Sequence, residues 1–141
     1  RQGELLKLKA RDIDLSLNTI HVGGRPDVVT KAGNYRSIPI HERIASLLQQ
    51  RLEDVSPNVR AFDDWTTKDQ LLRAFNKLRR YVGLPEGYCF HSLRHSFATW
   101  HAEAGTPMRT LMMLMGHKRI ETTLRYAKVT NKASIEAMQA I

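Results

Sequence analysis

Two short stretches hold residues whose types and spacing point to chemistry. In a helical His91-Ser92-Leu93-Arg94-His95, positions i and i+3 share one face, so His91 and Arg94 address the same ligand atom. Arginine offers a planar fork of donors, and an imidazole donates or accepts a proton near neutral pH; the pair suits a phosphate. A solvated helix surface carrying a histidine and an arginine fits the same pattern. His91 and His95 are also four apart, a spacing that can chelate zinc. No carboxylate or cysteine stands at a partner position and no second histidine pair follows, so no metal is expected. The second stretch is Leu114-Met115-Gly116-His117, with Tyr126 nine residues further on in Thr122-Thr123-Leu124-Arg125-Tyr126. By itself Tyr126 reads as an amphipathic side chain half-buried on a helix, and the methionines of residues 108–115 read as core packing. The short helices on either side of Gly116 also fit a helix-turn-helix that reads DNA.

The elements that must position these residues follow from periodicity. Residues 3–9, with Leu5, Leu6 and Leu8 among charges, suggest a short helix, and residues 12–18 are turn-like. Residues 19–22 are rich in β-branched side chains, residues 28–30 resume an extended pattern, and Ala32-Gly33-Asn34 signals a turn. Residues 36–40 form a strand in which Pro39 requires an edge position. The remainder is helical. Ile44, Leu47, Leu48 and Leu52 mark one apolar face, and Leu71, Leu72, Phe75, Leu78 and Val82 mark another, capped by Thr66 or Thr67. A helix over residues 92–103 puts Leu93, Phe97 and Trp100 on its apolar side; residues 107–115, 121–129 and 132–140 complete the set. The fold class is α+β, mostly α-helical with a small antiparallel sheet near the N-terminus.

Composition narrows the function. The 141 residues suit one domain with a sizeable core, and 42% apolar with 26% charged side chains is ordinary for a globular chain. A single cysteine, Cys89, cannot form an internal disulfide, which fits a reducing compartment. The longest apolar run, residues 111–115, is far too short to span a bilayer. Of the net charge of +8, nearly all lies in the second half: residues 1–70 carry 11 basic and 10 acidic side chains, residues 71–141 carry 11 and 4. That imbalance points to a polyanionic partner, nucleic acid before membrane. The opening at Arg1 without a methionine is expected of a fragment.

Taken together, HSLRHSFATW and LMGHKRIETTLRYAKV resemble the C-terminal half of a tyrosine recombinase of the phage integrase family. RQGELLKLKARDID resembles the segment carrying that family's first catalytic arginine, and TKAGNYRSIPI the β-hairpin carrying its catalytic lysine. Each motif alone is weak; four in the right order, from Arg1 to Lys128, are specific. The resemblance implies a catalytic domain spanning residues 1–141, truncated at its N-terminus, with the family's separate upstream DNA-binding domain missing.

It implies that a tyrosine hydroxyl attacks the scissile phosphate of double-stranded DNA, giving a 3′-phosphotyrosine and a 5′-hydroxyl, without metal, nucleotide or other cofactor. By the match Tyr126 is the nucleophile; a free tyrosine, with a pKa of about 10, needs help to lose its proton at neutral pH. Arg1 and Arg94 would clamp the nonbridging oxygens as charge grows in the transition state. Lys31 would protonate the leaving 5′-oxygen, His91 would accept the Tyr126 proton, and His117 would hydrogen-bond the phosphate. Arg79, Arg80, Arg109, Lys118, Arg119 and Arg125 are candidates for backbone phosphate contacts. The resemblance further implies a homo-tetramer on DNA, with the tail after Lys128, where Ile135 and Met138 form an apolar stripe, packed on a neighbouring protomer. It implies a cytoplasmic, DNA-associated protein of a prokaryotic cell or phage, with no membrane partner. Two rivals stay open: relaxation of DNA as by a type IB topoisomerase, and a non-catalytic helix-turn-helix regulator.

Overall fold

Asp14 organises the first reversal of the chain. Its Oδ1 accepts from the Ser16 hydroxyl at 2.6 Å and from the Leu17 amide at 3.0 Å, and Asn18 takes the left-handed φ of 49° that the turn needs. In the computed structural model, which describes residues 1–23, 35–127 and 138–139, this turn joins β1 (Ile13–Asp14) to β2 (Thr19–Val22). The sequence alone leaves β1 inside a turn, because two residues are too few to show a period. β2 also pairs antiparallel with β3 (Arg36–Pro39), His21 lying opposite Ser37 and Val22 opposite Arg36. The strand order β1-β2-β3 leaves Pro39 on an edge, where its missing N–H breaks no ladder.

The described residues fall into two compact units, Arg1–Arg94 and His95–Ile141. In the first, α1 (Gln2–Leu5) and a 3-10 turn at Ala10–Asp12 precede the sheet, and α2 (Glu42–Leu52) and α3 (Lys68–Tyr81) follow it. Its core is Leu8, Ile13, Ile40, Leu48 and Ala61, with Ile20, Leu52 and Phe62 packed around them. Of the four apolar residues expected to face inward from α2, Leu48 is buried, whereas Ile44 and Leu47 are exposed. On α3 the buried pair is Leu71 and Phe75, one turn apart, while Leu72 and Leu78 face solvent. Thr67 caps α3 by accepting from the Gln70 amide, and the Gln70 side chain returns to the Thr67 amide. This reciprocal box satisfies two donors that a helix start would otherwise leave unpaired.

α4 (Phe90–Glu103) carries the division between the units; α5 (Met108–Met115) and α6 (Glu121–Leu124) belong to the second. The expected apolar side of α4 is corrected here. Leu93, Phe97 and Trp100 are exposed, and the fully buried residue is Ala98, which with Ala102 packs against Leu111, Met115 and Met108. Close helix packing selects small side chains at the contact, so bulk misidentifies the inner face. Gly116, at φ 60° and ψ 43°, ends α5 in the left-handed conformation that glycine adopts without strain. α6 is a single turn, shorter than residues 121–129, and its Thr123 is fully buried. A helix of one turn with an inward side chain is a poor recognition helix. The expected helix over residues 132–140 lies outside the described residues except at Met138 and Gln139.

Burial ranks the cost of substitutions. Leu111→Ala is expected to destabilise the protein by about 2–5 kcal/mol, the range for truncating a fully buried leucine. Leu47→Ala, at a position 61% exposed, is expected to cost no more than about 0.5 kcal/mol. Urea unfolding of the two variants beside the parent protein checks both.

Candidate active site

The first unit contributes a cationic cleft. Arg1 stands immediately before α1, three residues from Glu4, and its Nη1 donates to Glu4 Oε1 at 3.0 Å. The amino terminus donates to Oε2 at 3.0 Å. From β3, Arg36 reaches the same carboxylate with two parallel bonds, Nη1 to Oε1 at 3.1 Å and Nη2 to Oε2 at 2.9 Å. The Arg36 side chain is only 10% exposed, which makes this bidentate pair the stronger contact. Burial raises the Glu4 pKa, but hydrogen bonds and charge from Arg36 and the amino terminus outweigh it and bring the carboxyl to about 2.

Arg1 and His91 line one cleft of about 810 Å³ in this unit, together with Lys7, Lys9, Arg11 and Lys68. Two carboxylates, Glu4 and Asp12, also line it, so cations predominate and an anionic ligand is favoured. Cys89 borders the cleft; the contact of its thiol with the Ser92 hydroxyl, with backbone hydrogen bonds at the start of α4, holds the exposed thiol below the ordinary thiol range. Arg94 lies on α4 one turn beyond His91, the arrangement that i,i+3 spacing requires. Lys31 lies outside the described residues.

The second unit places the tyrosine. Tyr126 follows α6 in a turn closed by its amide donating to the Thr123 carbonyl at 2.9 Å. Its ring packs against the Ala98, Leu111 and Met115 cluster. The hydroxyl is 2.6 Å from Nδ1 of His95, with the two ring centroids 5.9 Å apart. His117, the first residue after Gly116, meets the buried Thr123 hydroxyl through Nδ1 at 2.8 Å. Thr123 therefore supports both residues: its hydroxyl sets the His117 ring and its carbonyl holds the Tyr126 backbone. Sequence reasoning considered His95 only as a zinc ligand and passed over Thr123. The i,i+4 step from His91 was the available signal for His95; nothing in the sequence marks Thr123, because its pairing comes from the turn after α5.

Among the described residues no three His, Cys, Asp or Glu side chains gather as a metal site would need, and no helix is long and apolar enough to cross a membrane.

Comparison with known proteins identifies the family. Residues 1–133 match the model of the phage integrase family. The chain is 30% identical to the tyrosine recombinase XerD of Listeria innocua serovar 6a, over 92% of this chain and 46% of that protein. It is 33% identical to the tyrosine recombinase XerA of Pyrococcus horikoshii, over 99% of this chain and 49% of that protein. The chain thus spans about half the length of the curated relatives it matches. Among solved structures, a XerA recombinase superposes with a TM-score of 0.75 at 26% identity, covering 99% of this chain and 52% of that one. A Tn1549 transposon integrase in complex with a circular intermediate DNA gives 0.79 at 22% identity, covering 100% and 54%. At that identity the second likeness speaks for the fold alone, the α+β fold with its small antiparallel sheet.

The Glu4 pair makes the first unit sensitive to acid. A carboxyl whose folded pKa is depressed from 4.5 to about 2 contributes stability above the unfolded value and loses it as pH falls between the two. Stability is expected to decline from about pH 4.5 toward pH 2, and Glu4→Gln is expected to flatten that part of the profile while lowering stability at pH 7. Denaturant midpoints measured across that range, parent against variant, check it.

Proposed function

Because the chain belongs to the phage integrase family, we propose that it is the catalytic part of a site-specific DNA recombinase acting through a 3′-phosphotyrosine on Tyr126. The observation that carries this reading is the setting of Tyr126: a phenol anchored on an apolar floor, its oxygen 2.6 Å from an imidazole nitrogen. That arrangement aims a weak nucleophile.

In this reading Arg1 and Arg94 clamp the nonbridging oxygens of the scissile phosphate. Their guanidinium forks neutralise charge that grows as phosphorus becomes pentacoordinate. The cationic cleft that Arg1 lines supports its assignment to the phosphate, and His91, which lines the same cleft, would accept the Tyr126 proton. His117 donates to a phosphate oxygen from Nε2. A Thr123 hydroxyl donating to Nδ1 selects the tautomer that carries the ring proton there. Lys31 protonates the leaving 5′-oxygen. The phosphotyrosine keeps the free energy of the broken phosphodiester, so rejoining needs neither nucleotide hydrolysis nor a metal.

The partner is double-stranded DNA, met through the surplus of cations in residues 71–141. Assembly is a homo-tetramer on that DNA, with the tail after Lys128 exchanged between protomers, and the protein works in the cytoplasm at the DNA.

A pool of nicked duplexes with a randomised central segment, incubated with the protein and run on a denaturing gel, is expected to give a covalent protein–DNA adduct. Sequencing the trapped DNA then defines the site. Tyr126→Phe is expected to abolish the adduct, and Arg94→Lys to slow its formation about 10²–10³-fold, since an ammonium cannot reproduce the two-pronged contact. Binding without any adduct would leave a DNA-binding regulator instead. Relaxation of supercoiled plasmid with no preferred site would favour a topoisomerase.

Thr123→Val, which keeps the shape but removes the hydroxyl, is expected to lower the cleavage rate about tenfold or more, with duplex affinity unchanged in a binding titration.

A further inference from the structure

We propose that His21 is a further phosphate ligand in the cleft that Arg1 lines. Its Nε2 donates to a backbone phosphate of the bound strand, and Tyr35 and Ser37 hold the ring in the tautomer that this requires. The inference deepens the strand-transfer reading above and rests on it for the identity of the ligand. Every residue it uses lies in the first unit.

With Thr123, His21 is one of two buried polar side chains among the described residues, and it lines the cleft. Alternation along β2 accounts for that placement. Ile20 packs against the apolar core, so its neighbour His21 projects from the opposite face of the sheet. Ser37 lies directly across from His21 on β3, and Tyr35, two residues earlier, shares that face. The Tyr35 and Ser37 hydroxyls are 3.1 Å and 3.2 Å from His21 Nδ1 and 2.7 Å from each other. The His21 and Tyr35 rings also stack, with centroids 6.0 Å apart and planes 16° from parallel.

Proton counting favours one tautomer. If Nδ1 accepts, one hydroxyl donates to its neighbour, which in turn donates to Nδ1, and both hydroxyl protons are used inside the cluster. With a proton on Nδ1, one hydroxyl proton would have to point away. In the favoured form the ring proton sits on Nε2, and that nitrogen is left to meet a ligand. The wall it stands in carries Arg1, Lys7, Lys9 and Arg11. A donor added to such a set suits a phosphate oxygen, which accepts several bonds at once.

Two measurements test the assignment. On duplexes recovered as adducts of the parent protein, His21→Ala is expected to weaken equilibrium binding about tenfold, the worth of one hydrogen bond to a charged group. His21→Gln, whose amide can place a donor where Nε2 stood, is expected to recover most of that loss. Tyr35→Phe combined with Ser37→Ala keeps the ring but removes what orients it, and is expected to fall between the parent and His21→Ala. In the free parent protein, nitrogen NMR is expected to find the His21 proton on Nε2. Inorganic phosphate, added at constant pH and ionic strength, is expected to shift that signal more than the signal of His41, which is exposed outside the cleft. A proton resident on Nδ1, or equal responses of His21 and His41 to phosphate, would overturn the proposal. So would a His21→Ala variant or a double variant with the parent's affinity, or a His21→Gln variant as weak as the alanine one. If His21→Ala does not fold, His21→Gln and the phosphate titration decide. Failure of the parent to form any adduct would bring down the strand-transfer reading, and the titration would still decide whether His21 binds the anion.

Discussion

One carboxylate governs the cationic half of the candidate site. Glu4 accepts from Arg1 and, through a two-pronged contact, from Arg36. It stands between two guanidiniums, one from the residue before α1 and one from β3, and offsets their mutual repulsion. At the distances involved and in a partly desolvated setting, such repulsion competes with the weak forces that hold a four-residue helix in place. Because the Glu4 pKa falls to about 2, the carboxylate remains charged throughout the physiological range. The pairing also ties the helix after Arg1 to the strand that follows the Lys31 segment. Positioning of Arg1, the expected clamp, thus rests in part on this contact.

The second unit solves a similar problem with neutral groups. Its apolar floor is small, three fully or nearly fully buried residues with Ala102, Met108 and Tyr126 around them. Two alanines permit close approach of α4 and α5, and Gly116 then turns the chain sharply enough to deliver His117 to Thr123. A buried threonine hydroxyl without a partner is costly, so this contact is a condition of the packing as well as a device for orienting an imidazole.

Much of the fold was legible because it depends on local rules. Edge placement followed from Pro39, the start of α3 from Thr67 and Gln70, and the end of α5 from Gly116. The inner face of α4 was misjudged because hydrophobic size was taken for burial, whereas the packed interface uses Ala98 and Ala102. For the site, the order of the motifs identified the family. The Glu4 to Arg36 pair spans 32 positions and the His95 to Tyr126 contact spans 31. Such pairings arise from tertiary structure and leave no periodic trace in a single sequence. Thr123 illustrates the same limit over only six residues, since the intervening turn, and not helical spacing, brings it to His117.

The methionines of α5 give the second unit an uneven chemical lifetime. Met113 is 63% exposed and Met115 only 2%. An oxidant therefore reaches Met113 first, where a sulfoxide projects into water and disturbs little. Damage at Met115 would place a polar sulfoxide in the floor beneath Tyr126. Oxidation of the surface thioether two residues away therefore precedes any loss of this floor.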